Sequence, residues 1–396
     1  MIDIKLIREK PEIVRENLKR RQDTEKMRMF ERFLELDKMW RENVKEIEAL
    51  RAKRNKLSKQ IADAKKAGKP AEPLLEDAKK IPEKIAALEE MIKKQEVEMR
   101  TILLRLPNLL HESVPFGRDD NDNLVVKHFS QPRKFDFEPR HHQDIAAKLG
   151  GVDIERAAKI SGARFYFLKG PLVKLNFALI NYAMDFITKK GFSLIQPPYM
   201  INRASVEGAT DLGDFETMIY KIESEDLYLI ATSEHPMLAM HSNETFLADE
   251  LPKKLAGYSP CFRKEAGTHG KDEKGFFRVH QFDKVEQFIF CKPEESWDMH
   301  EYLLKNTEEF FASLQIPYRV VNVCTGDIGT VAAKKYDIEA WMPAQNKYRE
   351  VASCSNCTDY QARRLNIKWR KKEGAAPEGF VHTLNNTLVA TQRAMV

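Results

Sequence analysis

Two arginines, two carboxylates and an aromatic ring crowd into one stretch, FRKEAGTHGKDEKGFFRVHQFDKVEQF, residues 262–288. With a strand period of two, Arg263 and Glu265 share one face, and beyond a loop holding three glycines so do Arg278, Phe282 and Glu286. A half-buried hairpin would ordinarily turn apolar residues to one face and scatter its charges over the other. Fixed charges converging around a ring suit a nucleotide together with a zwitterion.

Three shorter motifs could complete such a site. In IATSEHP, Thr232 and Glu234 are read as sharing a strand face, where they could hold an ammonium and a hydroxyl. In YREVASCSNCTD, Glu350 and Ser353 offer two oxygens near a strand end, suited to a divalent ion that keeps waters and binds phosphate. In HTLNNTLVATQRAMV, Asn385 and Thr387 precede a helical run that carries Arg393. Each has a plainer reading when taken alone. A TSE triplet has no specificity, carboxylate–hydroxyl pairs commonly cap turns, and a lone helical arginine is usually solvated.

Other chemistries find less support. The five cysteines (Cys261, Cys291, Cys324, Cys354, Cys357) are odd in number and scattered, which argues against a disulfide framework. The pair Cys354 and Cys357 lacks the second pair that a zinc site needs, so no zinc is expected. His141 and His142 are adjacent and read as surface or capping residues. There is no G-x-G-x-x-G and no G-x4-G-K-[ST], so neither common glycine loop grips the phosphates.

The elements that must position these residues fall into two kinds. After a short amphipathic start, Met29, Phe33, Leu36, Trp40, Asn43, Ile47, Leu50, Arg54, Leu57, Ile61 and Ala64 follow 4-3 spacing. The turn AGKPAEP interrupts the pattern, and Leu74, Ala78, Ile81, Ile85, Leu88, Ile92, Gln95, Met99, Ile102 and Leu106 resume it. Matched heptads around a tight turn predict an antiparallel coiled-coil arm over about 29–106, each helix roughly 50 Å long and projecting into solvent. Pro82 should kink the second helix. Residues 111–149, rich in Pro, Asn and Asp and without sustained periodicity, read as a linker.

From residue 150 onward the chain reads as an α+β domain. A helix over 174–191 precedes a strand over 193–201 whose Pro197-Pro198 confines it to an edge or an interface. A strand and helix follow over 226–238, then the opening hairpin, a helix near 294–313, and strands over 318–324, 336–343 and 347–355. Strands in long antiparallel order argue against a Rossmann sheet.

Composition sets outer bounds. With 396 residues the chain can hold two or three domains, and at 32% charged residues with mean hydropathy -0.51 it reads as soluble. MIDIKLIREK carries charge by its third residue, and no later stretch approaches a membrane span, so a cytoplasmic protein is expected. Residues 1–110 hold 28 Lys/Arg against 21 Asp/Glu, while the remainder holds 37 against 39. The basic surplus therefore lies at the N-terminal end, where a polyanion could dock. Arg41, Lys45, Arg51, Lys53, Lys56, Lys59, Lys65 and Lys66 gather towards the tip of the arm without interleaved aromatics, which favours backbone and shape recognition of RNA over base stacking. A dimerisation zipper is the alternative use of the same heptads.

Taken together, the proline-containing strand after a long helix, FRKE…HQFDKVE, EVASCSNC and a terminal HTLNNT…R resemble the three signature motifs of class II aminoacyl-tRNA synthetases. TSE, the 262–288 stretch, SCSNCTDYQARR and HTLNNT are similar to the seryl-tRNA synthetase family of the common bacterial and archaeal type. The likeness covers essentially the whole chain, because this family also carries an N-terminal coiled-coil arm. It implies an antiparallel class II sheet flanked by helices, with residues 1–110 binding tRNA and residues 150–396 catalytic.

The resemblance assigns roles residue by residue. Arg263 would bind the α-phosphate and the serine carboxylate, and with Arg393, which reaches the γ-phosphate, would carry catalysis. Glu265 would accept the adenine amino group, Phe282 would stack on the ring, and Arg278 would lie near the phosphates. Lys264, Val279, Val351 and Ala352 complete the ATP-facing set, and Glu350 with Ser353 would hold Mg2+. Glu286 and Thr387 would take the serine hydroxyl, Thr232 and Glu234 its ammonium, with Ser233 and Asn385 beside them. Arg41, Lys45, Arg51, Lys53 and Lys56 would bind the long variable arm of tRNA(Ser), with tRNA(Sec) as a second candidate substrate.

The same likeness implies a homodimer across the edge containing Pro197-Pro198, a glycine loop at 266–275 acting as a flap, and a further C-terminal segment beyond Val396. Two rivals share the motifs. A catalytically silent paralogue would keep the arm and bind RNA. An amino-acid:carrier-protein ligase would keep the sheet but lack residues 29–106.

Overall fold

A computed structural model describes all residues except 69, 212, 214–216 and 266–274. The flap expected at 266–275 therefore lies, but for Gly275, outside the described residues. The chain divides into two compact units, Ile4–Leu106 and Met1–Asp3 with Pro107–Val396.

The first unit is helical: α1 (Ile4–Glu9), α2 (Pro11–Arg20), α3 (Thr24–Lys66) and α4 (Glu72–Arg105). The Asp23 carboxylate starts α3 by accepting from the Lys26 amide at 2.9 Å. At 43 and 34 residues, α3 and α4 extend roughly 65 and 50 Å. Phe33, Leu36, Ile47 and Leu57 of α3 are buried, as are Ile81, Ile85, Gln95, Met99 and Ile102 of α4, all at heptad positions. The two polar heptad members nearest the base find each other, with Asn43 Nδ2 donating to Gln95 Oε1 at 3.1 Å. Arg54, expected in the seam, is exposed instead. Its long stem lets the charge leave an apolar row for water. α4 continues as one helix through Pro82, whose side chain is exposed and whose missing N–H costs one ladder bond.

The second unit is built on an eight-stranded sheet. Its strands are β1 (Leu124–Phe129), β2 (Ser193–Ile195), β3 (Lys253–Phe262), β4 (Gln281–Cys291), β5 (Tyr318–Asn322), β6 (Lys334–Met342), β7 (Lys347–Asn356) and β8 (His382–Ala390). They run β1-β5-β6-β7-β8-β4-β3-β2, and every neighbouring pair is antiparallel except β2 with β3.

Strand periodicity separates the two faces of this sheet. Val285 and Ile289 of β4 pack with Ile180, Ala183 and Ile187 from helix Pro171–Thr188 and with Leu303, Phe310 and Phe311 from helix Ser296–Ser313. Gln287 sits on that covered face and donates to the Thr307 hydroxyl at 3.0 Å. The alternate residues Phe282, Lys284 and Glu286 therefore face the other side.

The ladder departs from the sequence reading in three places. Residues 111–149 supply the edge strand β1, whose mostly exposed side chains show no apolar alternation and so read as linker. The strand expected over 193–201 is two pieces: β2 stops at Ile195, and Met200–Ile201 pairs with Tyr228–Leu229. β2 is nonetheless an edge strand, with Pro197-Pro198 just beyond its end. Finally, β3 ends at Phe262 and β4 begins at Gln281, so Arg263, Glu265 and Arg278 flank the hairpin ladder rather than occupy one face of it. Glu265 takes a left-handed backbone, φ 48°.

Candidate active site

A cavity of about 220 Å³ opens on the uncovered sheet face, lined from β4, β7, β8 and the segments that precede and follow β3 and that follow β8. Two bulges shape its floor. Ile338 pairs with Ala352 but Glu339 pairs with Glu350, so Val351 is an extra residue in β7. In a regular strand, residues three apart point to opposite faces. The bulge restores Glu350 to the face that carries Ser353, which pairs with Asp337. A second bulge at Leu388 lets β8 present both Thr387, opposite Glu286, and Ala390, opposite Lys284.

One end of the cavity holds two acids, Glu286 buried and Glu234 half-buried. Glu286 is 2% exposed and lies 2.5 Å from Lys284 Nζ, itself 5% exposed, while the Thr387 hydroxyl donates to Glu286 Oε2 at 3.2 Å. Glu286 is thus partnered before any substrate arrives. Glu234 accepts at Oε1 from Gln361 Nε2 at 2.7 Å. Burial and then the nearby Glu286 push its carboxyl up to about 7, against the pull of Gln361, Lys284 and Arg263. Thr232 and Glu234 do not share a strand face as expected. They sit on a turn in which Thr232 Oγ1 accepts the Glu234 amide at 3.2 Å, and Glu234 opens helix Glu234–Ala239. Both line the cavity all the same. Ser233 is fully buried and spends its hydroxyl on the Gly257 carbonyl at 3.0 Å, so it acts through packing. Asn385 lines the cavity and donates to Cys357 Sγ at 3.6 Å.

The other end is cationic. The Arg263 backbone is fixed by two contacts with His280: its amide donates to the His280 carbonyl at 2.9 Å, and its carbonyl faces the side-chain Nδ1 at 2.8 Å. The Arg263 guanidinium carbon stands 5.2 Å from the centre of the Phe282 ring. Glu265 pairs with Arg278 at 3.1 Å, and both line a small cleft with Val279 that shares Phe282 and Arg393 with its surroundings. Arg393, on the short helix Thr391–Met395, reaches Glu350 at 3.3 Å. Desolvation opposes ionisation of Glu350, but Arg393, Lys335, Arg263 and Arg278 outweigh it, as suits a side chain 44% exposed, and hold its carboxyl below the usual range. Val351 and Ala352 are buried and line the floor, whereas Lys264 lines neither cleft and lies 5.9 Å from the Tyr220 ring.

Sequence reasoning missed three residues. Lys284 was readable, since it alternates with Phe282 and Glu286 in HQFDKVE. Gln361 was not, because helix Tyr360–Leu365 delivers it from a separate motif. Asp337, 5% exposed, pairs across the ladder with Ser353 in an adjoining cleft of about 550 Å³ that also includes Glu350 and Arg393. Burial first, then Glu350, pushes its carboxyl up to about 7 against Lys335. Among the described residues no group of three or more His, Cys, Asp or Glu is placed to hold a metal. Glu350 and Ser353 offer two hard oxygens on one face, a donor set that fits a hydrated Mg2+ arriving with phosphate rather than a resident ion.

On the helical unit, Arg41 is tied to the buried Asp37 at 3.0 Å, which Arg8 also holds, and Arg51 pairs with Glu89 at 2.8 Å. Lys45, Lys53 and Lys56 are exposed.

Comparison with known proteins agrees with this arrangement. Residues 1–110 match the family model described as the seryl-tRNA synthetase N-terminal domain, and residues 218–396 match the class II core domain of the G, H, P, S and T synthetases. A serine–tRNA ligase of Methanocorpusculum labreanum is 55% identical over 395 residues, covering 100% of this chain and 93% of the relative. The seryl-tRNA synthetase of Pyrococcus horikoshii, solved with ATP, superposes with a TM-score of 0.95 at 49% identity, covering 100% of this chain and 93% of that one. A cytoplasmic serine–tRNA ligase of Naegleria fowleri, solved with AMP, gives 0.87 at 38% identity, covering 100% and 92%. The chain belongs to the seryl-tRNA synthetase family of class II synthetases.

Proposed function

We propose that this chain is a serine–tRNA ligase that forms seryl-adenylate from serine and ATP and passes the seryl group to tRNA(Ser). One observation carries the reading: a single cavity joins a hydroxyl-reading pair, Glu286 and Thr387, to the phosphate-facing cations Arg263 and Arg393. Attack of the serine carboxylate on the α-phosphate needs alignment and charge neutralisation, not a covalent enzyme intermediate.

In this reading Glu234 and Thr232 take the serine ammonium, with Ser233 and Asn385 shaping the pocket. Arg263 bridges the serine carboxylate and the α-phosphate. Phe282 supplies the stacking surface for adenine, and Glu265 its amino-group acceptor, once it is shared with Arg278; Val279 borders that cleft, and Lys264 approaches ATP from outside it, beside the Tyr220 ring. Mg2+ would be held by Glu350 and Ser353, where it neutralises phosphate charge; Val351 and Ala352 fix the bulge that aims them. Arg393 engages the γ-phosphate after releasing Glu350.

Residues 1–110 serve tRNA, with Lys45, Lys53 and Lys56 as phosphate contacts; Arg41 and Arg51 contribute only by leaving Asp37 and Glu89. Residues 150–396 perform the chemistry, joined to the edge strand within 111–149. Around the parallel edge, Leu175, Phe177, Leu194 and Met200 are 43–55% exposed, which supports a homodimer through this face. Among the described residues no helix is long and apolar enough to cross a membrane. We assign the protein to the cytoplasm, with tRNA(Sec) as a second substrate to be tested.

Aminoacylation of tRNA(Ser) and tRNA(Sec) transcripts with labelled serine tests the assignment. Serylated tRNA(Ser) is expected, and failure of the full-length chain to serylate it with ATP and Mg2+ present overturns the reading.

A further inference from the structure

The two acids of the serine pocket have unlike partners. Glu234 is met by a neutral amide, Gln361 Nε2, at 2.7 Å, whereas Glu286 is met by an ammonium, Lys284 Nζ, at 2.5 Å. Lys284 is 5% exposed and Gln361 is fully buried, so neither partner is a mobile surface group. The Thr387 hydroxyl donates to Glu286 Oε2, the same oxygen that stands 2.5 Å from Lys284 Nζ.

Charge arithmetic follows from these contacts. Serine brings one ammonium, one carboxylate and one neutral hydroxyl. Arg263 answers the carboxylate. Were both Glu234 and Glu286 free anions, the pocket would hold two competing seats for one ammonium, and the hydroxyl would have no dedicated acceptor. A buried carboxylate already neutralised at one oxygen keeps an acceptor lone pair on the other but loses its pull on a second cation.

We propose that Lys284 is a specificity-determining positioning residue: by holding Glu286 as a neutralised, oriented pair it dedicates that carboxylate to the substrate hydroxyl and leaves Glu234 as the sole ammonium seat. The inference rests on the serine-activating reading above. It makes rejection of alanine and glycine a property of the Lys284–Glu286 pair rather than of pocket size, since both rivals are smaller than serine and no wall excludes them. Without the ion pair, Glu286 competes for the ammonium, and hydroxyl-bearing and hydroxyl-free amino acids become alike.

The test is amino-acid-dependent ATP–pyrophosphate exchange by the full-length chain with serine, alanine and glycine, for wild type, Lys284→Met and Lys284→Gln. Lys284→Gln keeps a hydrogen-bond donor beside Glu286 but no charge, so it guards against a variant that merely misfolds. ATP binding by calorimetry, within threefold of wild type, certifies each fold. The serine-over-alanine ratio of kcat/KM should fall about 100-fold in both variants, carried mainly by serine KM, with the alanine value little changed. A uniform loss for all three amino acids, or a wild-type ratio in a Lys284→Gln protein that binds ATP, overturns the proposal. Wild type that fails to exchange with serine overturns the serine reading itself, a separate result.

Discussion

The helical arm and the sheet use charge in opposite ways. On the arm, apolar residues fill the seam and cations stand in water, where Lys45, Lys53 and Lys56 cost nothing to hold. On the sheet, the covered face takes the apolar residues, and the cavity face buries Lys284 at 5% and Glu286 at 2% exposure. Burying an ion pair is expensive unless geometry and further hydrogen bonds compensate. Surface cations therefore attract a polyanion over distance with little dependence on exact placement, whereas the buried set has to be built. Tolerance of substitution should differ accordingly.

The strongest test of that contrast is Arg263→Ala, which removes the cation between the amino-acid and phosphate ends of the cavity. A loss of about 1000-fold in serine-dependent exchange is expected, with the melting temperature little changed; a loss under tenfold would move the charge stabilisation elsewhere. On the arm, Lys53→Glu with Lys56→Glu should lower tRNA charging about tenfold while exchange stays within twofold. The log–log salt slope of tRNA binding should become shallower by about 2 if each lysine neutralises one phosphate. An unchanged slope would remove the arm from phosphate recognition.

The pH dependence isolates one half-buried acid. Because the Glu234 carboxyl is pushed up to about 7, it is mostly protonated below that pH and cannot pair with an ammonium. Serine KM should rise as pH falls through about 7, roughly tenfold per unit beneath it, with ATP KM flat. A serine KM independent of pH from 6 to 8 would place the ammonium elsewhere.

The smallest effect expected is on the arm seam. Asn43→Leu alone leaves Gln95 unpartnered and should destabilise the hairpin by about 1–2 kcal/mol, while Asn43→Leu with Gln95→Leu should be neutral or stabilising. Equal destabilisation by both would mean that the seam does not tolerate leucine at this level.

How far each region could be read in advance follows from the same physics. Heptads record burial directly, so the seam residues Phe33, Leu36, Ile47, Ile81 and Ile85 were legible, and Arg54 misled only because its stem lets it leave the row. On the sheet, Phe282, Glu286, Glu350, Ser353, Thr387 and Arg393 were legible as chemistry, and they do line one cavity. What strand period could not supply was their aim. Glu350 and Ser353, three apart, reach one face only through the bulge at Val351, and Thr232 with Glu234 converge through a turn. Strand β1 escaped notice because an exposed edge leaves no apolar alternation, and Gln361 because its partner Glu234 lies 127 residues away.

The central claim is that the cavity face of this sheet selects an amino acid by its hydroxyl. Serine- against alanine-dependent ATP–pyrophosphate exchange by the unaltered chain tests it most directly. The account predicts a ratio of kcat/KM of about 1000 or more, because alanine brings no hydroxyl to the acceptor capacity of Glu286 that Lys284 and Thr387 leave open. Exchange with alanine at a rate near that with serine would contradict it.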